Sequence, residues 1–176
     1  MTSYARFLLL AFALSACNTP TPTPDTSSDA NNTPSFVEVP FRNDGTLSIQ
    51  HADGKPVATL NIEIADTDQT QEQGLMNRRA LPKDSGMWFM FGNEEPRTFW
   101  MANTYLSLDI IFVNAKMEIV TVNKYAQPLS TDGVSSTGPA QYVLEVPGGY
   151  ADEKGLIEGM VIQFARNGQP APATKG

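Results

Sequence analysis

Residues 46–65 read TLSIQHADGKPVATLNIEIA, and this stretch decides the fold class. From Thr46 to His51 the residues alternate, with Leu47 and Ile49 on one side and Ser48 and Gln50 on the other. Successive strand side chains point to opposite faces, so this period marks a strand with one buried face. Asp53-Gly54 follows, a strong hairpin signal because glycine takes the positive φ of a tight turn. Val57 to Ala65 alternates again through Leu60, Ile62 and Ile64, with one slip near Ala58–Thr59 that reads as a bulge. The pair predicts an antiparallel hairpin, the local unit of a β domain.

Working outward, the pattern repeats. Gly86 to Phe91 is a short apolar run bounded by glycines, which reads as a buried strand. Further strands are predicted over Phe99–Ala102, Leu108–Val113, Glu118–Lys124, Gln141–Val146 and Met160–Phe164, with a turn at Asn114–Met117. Asp66-Thr67-Asp68 carries the capping oxygen and acid of a helix start, so Thr70–Arg79 reads as a short helix ended by Leu81-Pro82. Gly74 stands inside it as a weak point. Tyr150–Lys154 reads as one helical turn after Pro147-Gly148-Gly149. About eight short strands with one or two short helices predict a mostly β domain, a small barrel or a sandwich.

The ends read differently. MTSYARFLLLAFALSAC gives Arg6 as a positive region, Phe7–Ala13 as an apolar run, then Leu14-Ser15-Ala16-Cys17. The run is too short to cross a bilayer, so residues 1–16 are expected to be a cleaved signal. The last four residues resemble a bacterial lipobox, which implies lipidation at Cys17 and a place in the cell envelope, facing the periplasm or the exterior. Cys17 is the sole cysteine, so no intramolecular disulfide can form. Residues 18–35 are rich in Thr, Pro, Ser, Asp and Asn and hold too little apolar surface to fold, so 17–35 is expected to be a lipidated tether. Residues 36–168 are expected to form one domain and 169–176 a flexible tail.

The net charge is −7, and no basic run occurs. Nucleic acid is therefore not an expected partner. The chain lacks a G-x-S-x-G elbow, a phosphate loop and a dinucleotide fingerprint, and has a single histidine. A binding protein is expected rather than an enzyme.

An ordered set of short motifs carries a resemblance. It comprises Gly74-Leu75-Met76, Arg78, Leu81, Gly86-Met87 with Phe89 and Phe91, Phe99-Trp100-Met101, Asn103-Thr104, Leu108-Asp109, and Tyr142-Val143-Leu144-Glu145 with Gly148 or Gly149. Over about Asn61 to Phe164 the chain resembles the bacterial and archaeal secreted family called domain of unknown function 192. That resemblance implies a small β-rich domain, often secreted or lipid-anchored, and no established reaction. The family usually carries Lys where this chain has Ala102, and Pro where it has Ser107. The missing lysine removes a cation that would pair with Asp109 or Glu145.

Two constellations carry chemistry. Of seven methionines, five fall between Met76 and Met117. Thioether sulfur is soft and prefers Cu(I). His51, Met76, Met87 and Met101, with Trp100 as a cation–π neighbour, form a copper-binding set similar to that of small periplasmic copper carriers. Copper handling or tolerance is the leading expectation. Packing competes with it, because methionine fills cores and a regular strand sends Trp100 and Met101 to opposite faces. The second set is polar: Asn103, Asp109 and Glu145, with Thr104 beside them. Two carboxylates in a cleft would suit a hydrolase. The competing reading has Asp109 bonding loop amides and Glu145 paired with Arg78 or Arg79. A third option is an envelope interaction module that binds a polymer or protein through Trp88 and Trp100.

Overall fold

The computed structural model describes residues 39–168, so the signal, Cys17, the whole tether and the tail lie outside the described residues. The domain is mostly β. Its elements in order are β1 (Gly45–Gln50), β2 (Pro56–Ala65), α1 (Asp68–Gln73), β3 (Ser85–Glu95), β4 (Thr98–Phe99), β5 (Leu108–Val113), β6 (Ile119–Ala126), β7 (Val134–Ser135), β8 (Ala140–Pro147), α2 (Tyr150–Lys154) and β9 (Val161–Arg166).

The predicted hairpin is β1–β2. Its antiparallel register shifts between Ile49 and Gln50, leaving Val57 as the extra residue. The slip in alternation is therefore a bulge, one residue earlier than expected. Seven strands form one sheet in the order β6-β5-β8-β3-β2-β1-β9. Among the described residues only β2 and β3 pair in parallel. A parallel pair needs a crossover, and residues 66–84 with α1 supply it. The sheet curls until its edges touch at one bridge, Glu118–Val161, with Ile119 N donating to Met160 O at 2.8 Å. It is not a closed barrel.

The curled sheet buries apolar side chains on both faces. Leu47, Ile62, Trp88, Ile111, Leu144 and Ile162 fill the concave side. Trp88 is wholly buried and stacks on Tyr142 at 5.2 Å, so it is not a surface aromatic. On the outer side Met87, Phe89, Ile110, Phe112 and Val143 are buried under Leu75 and Met101, which come from the two segments covering that face.

The predicted helix is shorter than expected. Thr67 caps α1 in a reciprocal capping box with Thr70, and Gly74 ends it with φ 46°. That conformation suits glycine, and its amide still bonds Thr70 O, which closes the helix there. Thr67→Ala removes one side of the box and is expected to cost about 1 kcal/mol in urea denaturation. No loss would mean that the Gln71 amide, which donates to Met90 O at 2.7 Å, holds α1 by itself.

Candidate functional site

Strand register builds the site from the outer face. Glu63, Met87, Glu145 and Ile110 stand in one row across β2, β3, β8 and β5. Ala65, Phe89, Val143 and Phe112 form the next row. Two segments roof these rows, one after α1 and one after β4. They are tied together by Asn77 N donating to Asn103 O at 2.8 Å. Between roof and sheet lies a cavity of about 380 Å³. Its walls are mainly apolar: Leu75, Met76, Phe89, Phe91, Phe99 and Trp100. The volume falls in the range of small-ligand sites.

Glu145 is the buried carboxylate of that cavity. It is 5% exposed, and its Oε2 is buried without a hydrogen-bond partner. Burial pushes its carboxyl up to about 8, because removal from water disfavours the charged form. The two arginines expected to pair with it are engaged elsewhere. Arg78 Nη2 binds Glu63 Oε2 at 2.6 Å, and both residues are buried. The Arg79 guanidinium lies 4.6 Å from the Tyr105 ring centre. Two glycines let Glu145 sit where it does. A Cβ on Gly74 would come within 3.3 Å of Phe89 Cζ and 3.9 Å of Glu145 Oε2, and one on Gly86 would strike the Glu145 carbonyl oxygen.

The two carboxylates read as a polar pair are separated. Asp109 pairs with Val146 and Glu145 with Ile110 across β5–β8, so their side chains leave opposite faces of the sheet. Asp109 accepts backbone N–H bonds from Tyr125 at 2.8 Å, from Gly149 at 3.0 Å and from Ala151 at 2.7 Å. It holds loop amides, as the competing reading had it, and forms no acid pair with Glu145. Asn103 is exposed and turns the chain at φ 57°. The flanking residues Ala102 and Thr104 line the cavity. Ala102 therefore shares a wall with Glu145 rather than with Asp109, and the missing lysine concerns Glu145.

The five residues of the copper set do not converge. Met76 and Trp100 line the cavity. Met87 and Met101 are packed in the core beneath the roof, 3% and 0% exposed. The chain does turn after Met101, where Thr104 N bonds Met101 O, yet Trp100 is 61% exposed and Met101 wholly buried. His51 lies in the β1–β2 turn at the Pro56 end of β2, while Phe89 pairs with Ala65 at the other end. Nine residue steps at about 3.3 Å place it about 30 Å away along the strand. Among the described residues no three His, Cys, Asp or Glu side chains gather to hold a metal.

The family model described as an uncharacterised ACR, DUF192, matches residues 48–164. No curated protein matches. Among solved structures, a protein of Sinorhizobium meliloti 1021 described as a candidate transcription regulator is 34% identical with a TM-score of 0.66. The match covers 73% of this chain and 98% of that one. A protein of unknown function from Novosphingobium aromaticivorans is 31% identical with a TM-score of 0.63, over 67% of this chain and 83% of that one.

Proposed function

The chain belongs to the DUF192 family, and from that premise we propose that it is an envelope-anchored binding protein holding a small ligand beneath Trp100. One observation carries the reading: a buried carboxyl without a partner, Glu145, faces an aromatic-walled cavity with an exposed tryptophan on its wall. An unpaired buried polar group is costly, and a ligand that satisfies it recovers that cost. Fold alone assigns no function, so the weight rests on this site. The lipobox-like Leu14-Ser15-Ala16-Cys17 supports an anchor at a membrane surface. A charge of −7 with no basic run does not support nucleic-acid binding.

A ligand-observed NMR screen of fragments against the full-length protein tests the reading. Binders are expected to compete for one site. Trp100→Ala is expected to weaken them about tenfold, since an aromatic contact is worth about 1 kcal/mol beyond the area it buries. Stability should hold, because Trp100 is mostly exposed. No binders, or binders indifferent to Trp100→Ala, would overturn it.

Copper(I) is the second reading, on the observation that Met76 and Trp100 line the same cavity. It would use those two residues without His51. Purified protein free of copper, with tryptophan emission unmoved by Cu(I), removes this reading.

A further inference from the structure

We propose that the cavity selects a primary ammonium carried on an apolar body, with Glu145 as its counter-ion. This inference rests on the binding reading above and names its ligand class.

The charge inventory of the cavity decides the sign. Its lining contains two carboxylates, Glu145 on the sheet and Glu72 at the edge of α1, and no Lys, Arg or His. The remaining polar side chains are neutral: Gln71, Gln73, Thr98, Thr104 and the indole N–H of Trp100. Nearby cations are committed elsewhere. Arg78 is buried against Glu63. Arg97 covers the Phe91 ring at 3.6 Å, pairs with Glu95 at 3.2 Å and is not part of the lining.

The walls decide the rest. Phe89, Phe91 and Phe99 form edge-to-face pairs, with Phe99 5.0 Å from Phe89 and 6.3 Å from Phe91. Aromatic rings favour a cation over their faces and an alkyl chain along them. An anion would meet two carboxylates and no donor cation. A neutral apolar molecule would leave Glu145 Oε2 without a partner.

Binding is coupled to one proton. Below about pH 8 the free cavity holds Glu145 neutral. An entering R–NH3+ forms the pair R–NH3+···−OOC, and the carboxyl proton leaves to solvent. No bond of the ligand breaks. The charged groups around Glu145 are Glu72 from α1 and the Glu63–Arg78 pair from β2 and the roof. Met87 on β3 and Ile110 on β5 add no charge.

Isothermal titration of the full-length protein with n-hexylamine, n-hexanol and hexanoate tests the proposal. Phosphate must be the buffer, because Tris is itself a primary amine. At pH 8 hexylamine is expected to bind at least about thirtyfold tighter than hexanol or hexanoate, as expected of a charge-assisted bond formed out of water. Its affinity is expected to rise about fiftyfold from pH 6 to pH 8, following the ionised fraction of Glu145. Glu145→Gln is expected to abolish the preference. Ala102→Lys, which places an ammonium on the same wall, is expected to displace hexylamine while leaving the domain folded. Hexanol or hexanoate binding as well as hexylamine overturns the ammonium proposal and leaves the binding reading intact. An unchanged amine affinity in folded Glu145→Gln has the same meaning. No binding by any of the three, with an empty fragment screen, ends both.

Discussion

Glu145→Gln is expected to stabilise the protein at pH 8 and to leave it unchanged at pH 4. The carboxyl sits near pH 8 in the folded state against an ordinary value of 4.5, because it is buried. Between those values the folded chain keeps a proton that the unfolded chain has lost. Stability therefore falls as pH rises through that window, the reverse of a salt-bridged acid. The whole shift corresponds to about 5 kcal/mol, an upper limit because water entering the cavity reduces it. Glutamine has the same shape and no charge to desolvate, so its stability does not fall there. Urea denaturation at pH 4, 6 and 8 in amine-free buffer gives the result. A stability difference between the two proteins that is the same at all three pH values would sink the argument. Adding hexylamine at pH 8 should narrow the difference, because the ligand stabilises only the protein that keeps the carboxylate.

The same residue shows what sequence could and could not convey. A glutamate between Leu144 and Val146 was visible as a buried carboxylate. Its lack of a partner was not, because that depends on non-local pairing. The parallel β2–β3 register puts Glu63 beside Met87, and the chain after α1 delivers Arg78 to Glu63. Nothing in local periodicity ranks Glu63 above Glu145 for that arginine. The hairpin of residues 46–65 was legible because both strands alternate around Asp53-Gly54. Leu108–Val113 and Tyr150–Lys154 were legible for similar local reasons, and the structure places a strand and a helix on those bounds. β7 was missed, since two residues carry no period. The strand expected over Phe99–Ala102 shrinks to Thr98–Phe99, because the chain turns at Asn103 with positive φ.

Methionine spacing was a weaker guide than charge pattern. Met87 and Met101 fill the core, as flexible apolar side chains commonly do. Met76 alone of the three reaches the cavity. Strand alternation had already set Trp100 and Met101 apart, and the turn after Met101 did not reunite them. Sequence gave the parts of a site on both faces of one sheet. Only register shows which parts share a face.

The two neighbouring carboxylates therefore make opposite predictions, and Asp109 supplies the second. Asp109→Ala is expected to destabilise the protein by about 3–9 kcal/mol, because three backbone N–H groups lose their acceptor at about 1–3 kcal/mol each. Those groups belong to Tyr125, Gly149 and Ala151, so the loss loosens β6 and the start of α2 together. The N-cap of α2 is Gly149, which has no side chain to bond the first turn, and Asp109 provides that acceptor from β5. A negative group there also suits the positive end of the helix. Asp109→Asn keeps one acceptor oxygen and should cost less than alanine. Urea denaturation measures both, and amide hydrogen exchange at Tyr125 and Ala151 should accelerate first. A cost below 1 kcal/mol for Asp109→Ala would show that water replaces the carboxylate. Because Asp109 leaves the opposite face from Glu145, the folded fraction of either variant should bind hexylamine as the parent protein does. A loss of amine affinity in folded Asp109→Asn would instead join the two carboxylates in one site and contradict the register of β5 and β8.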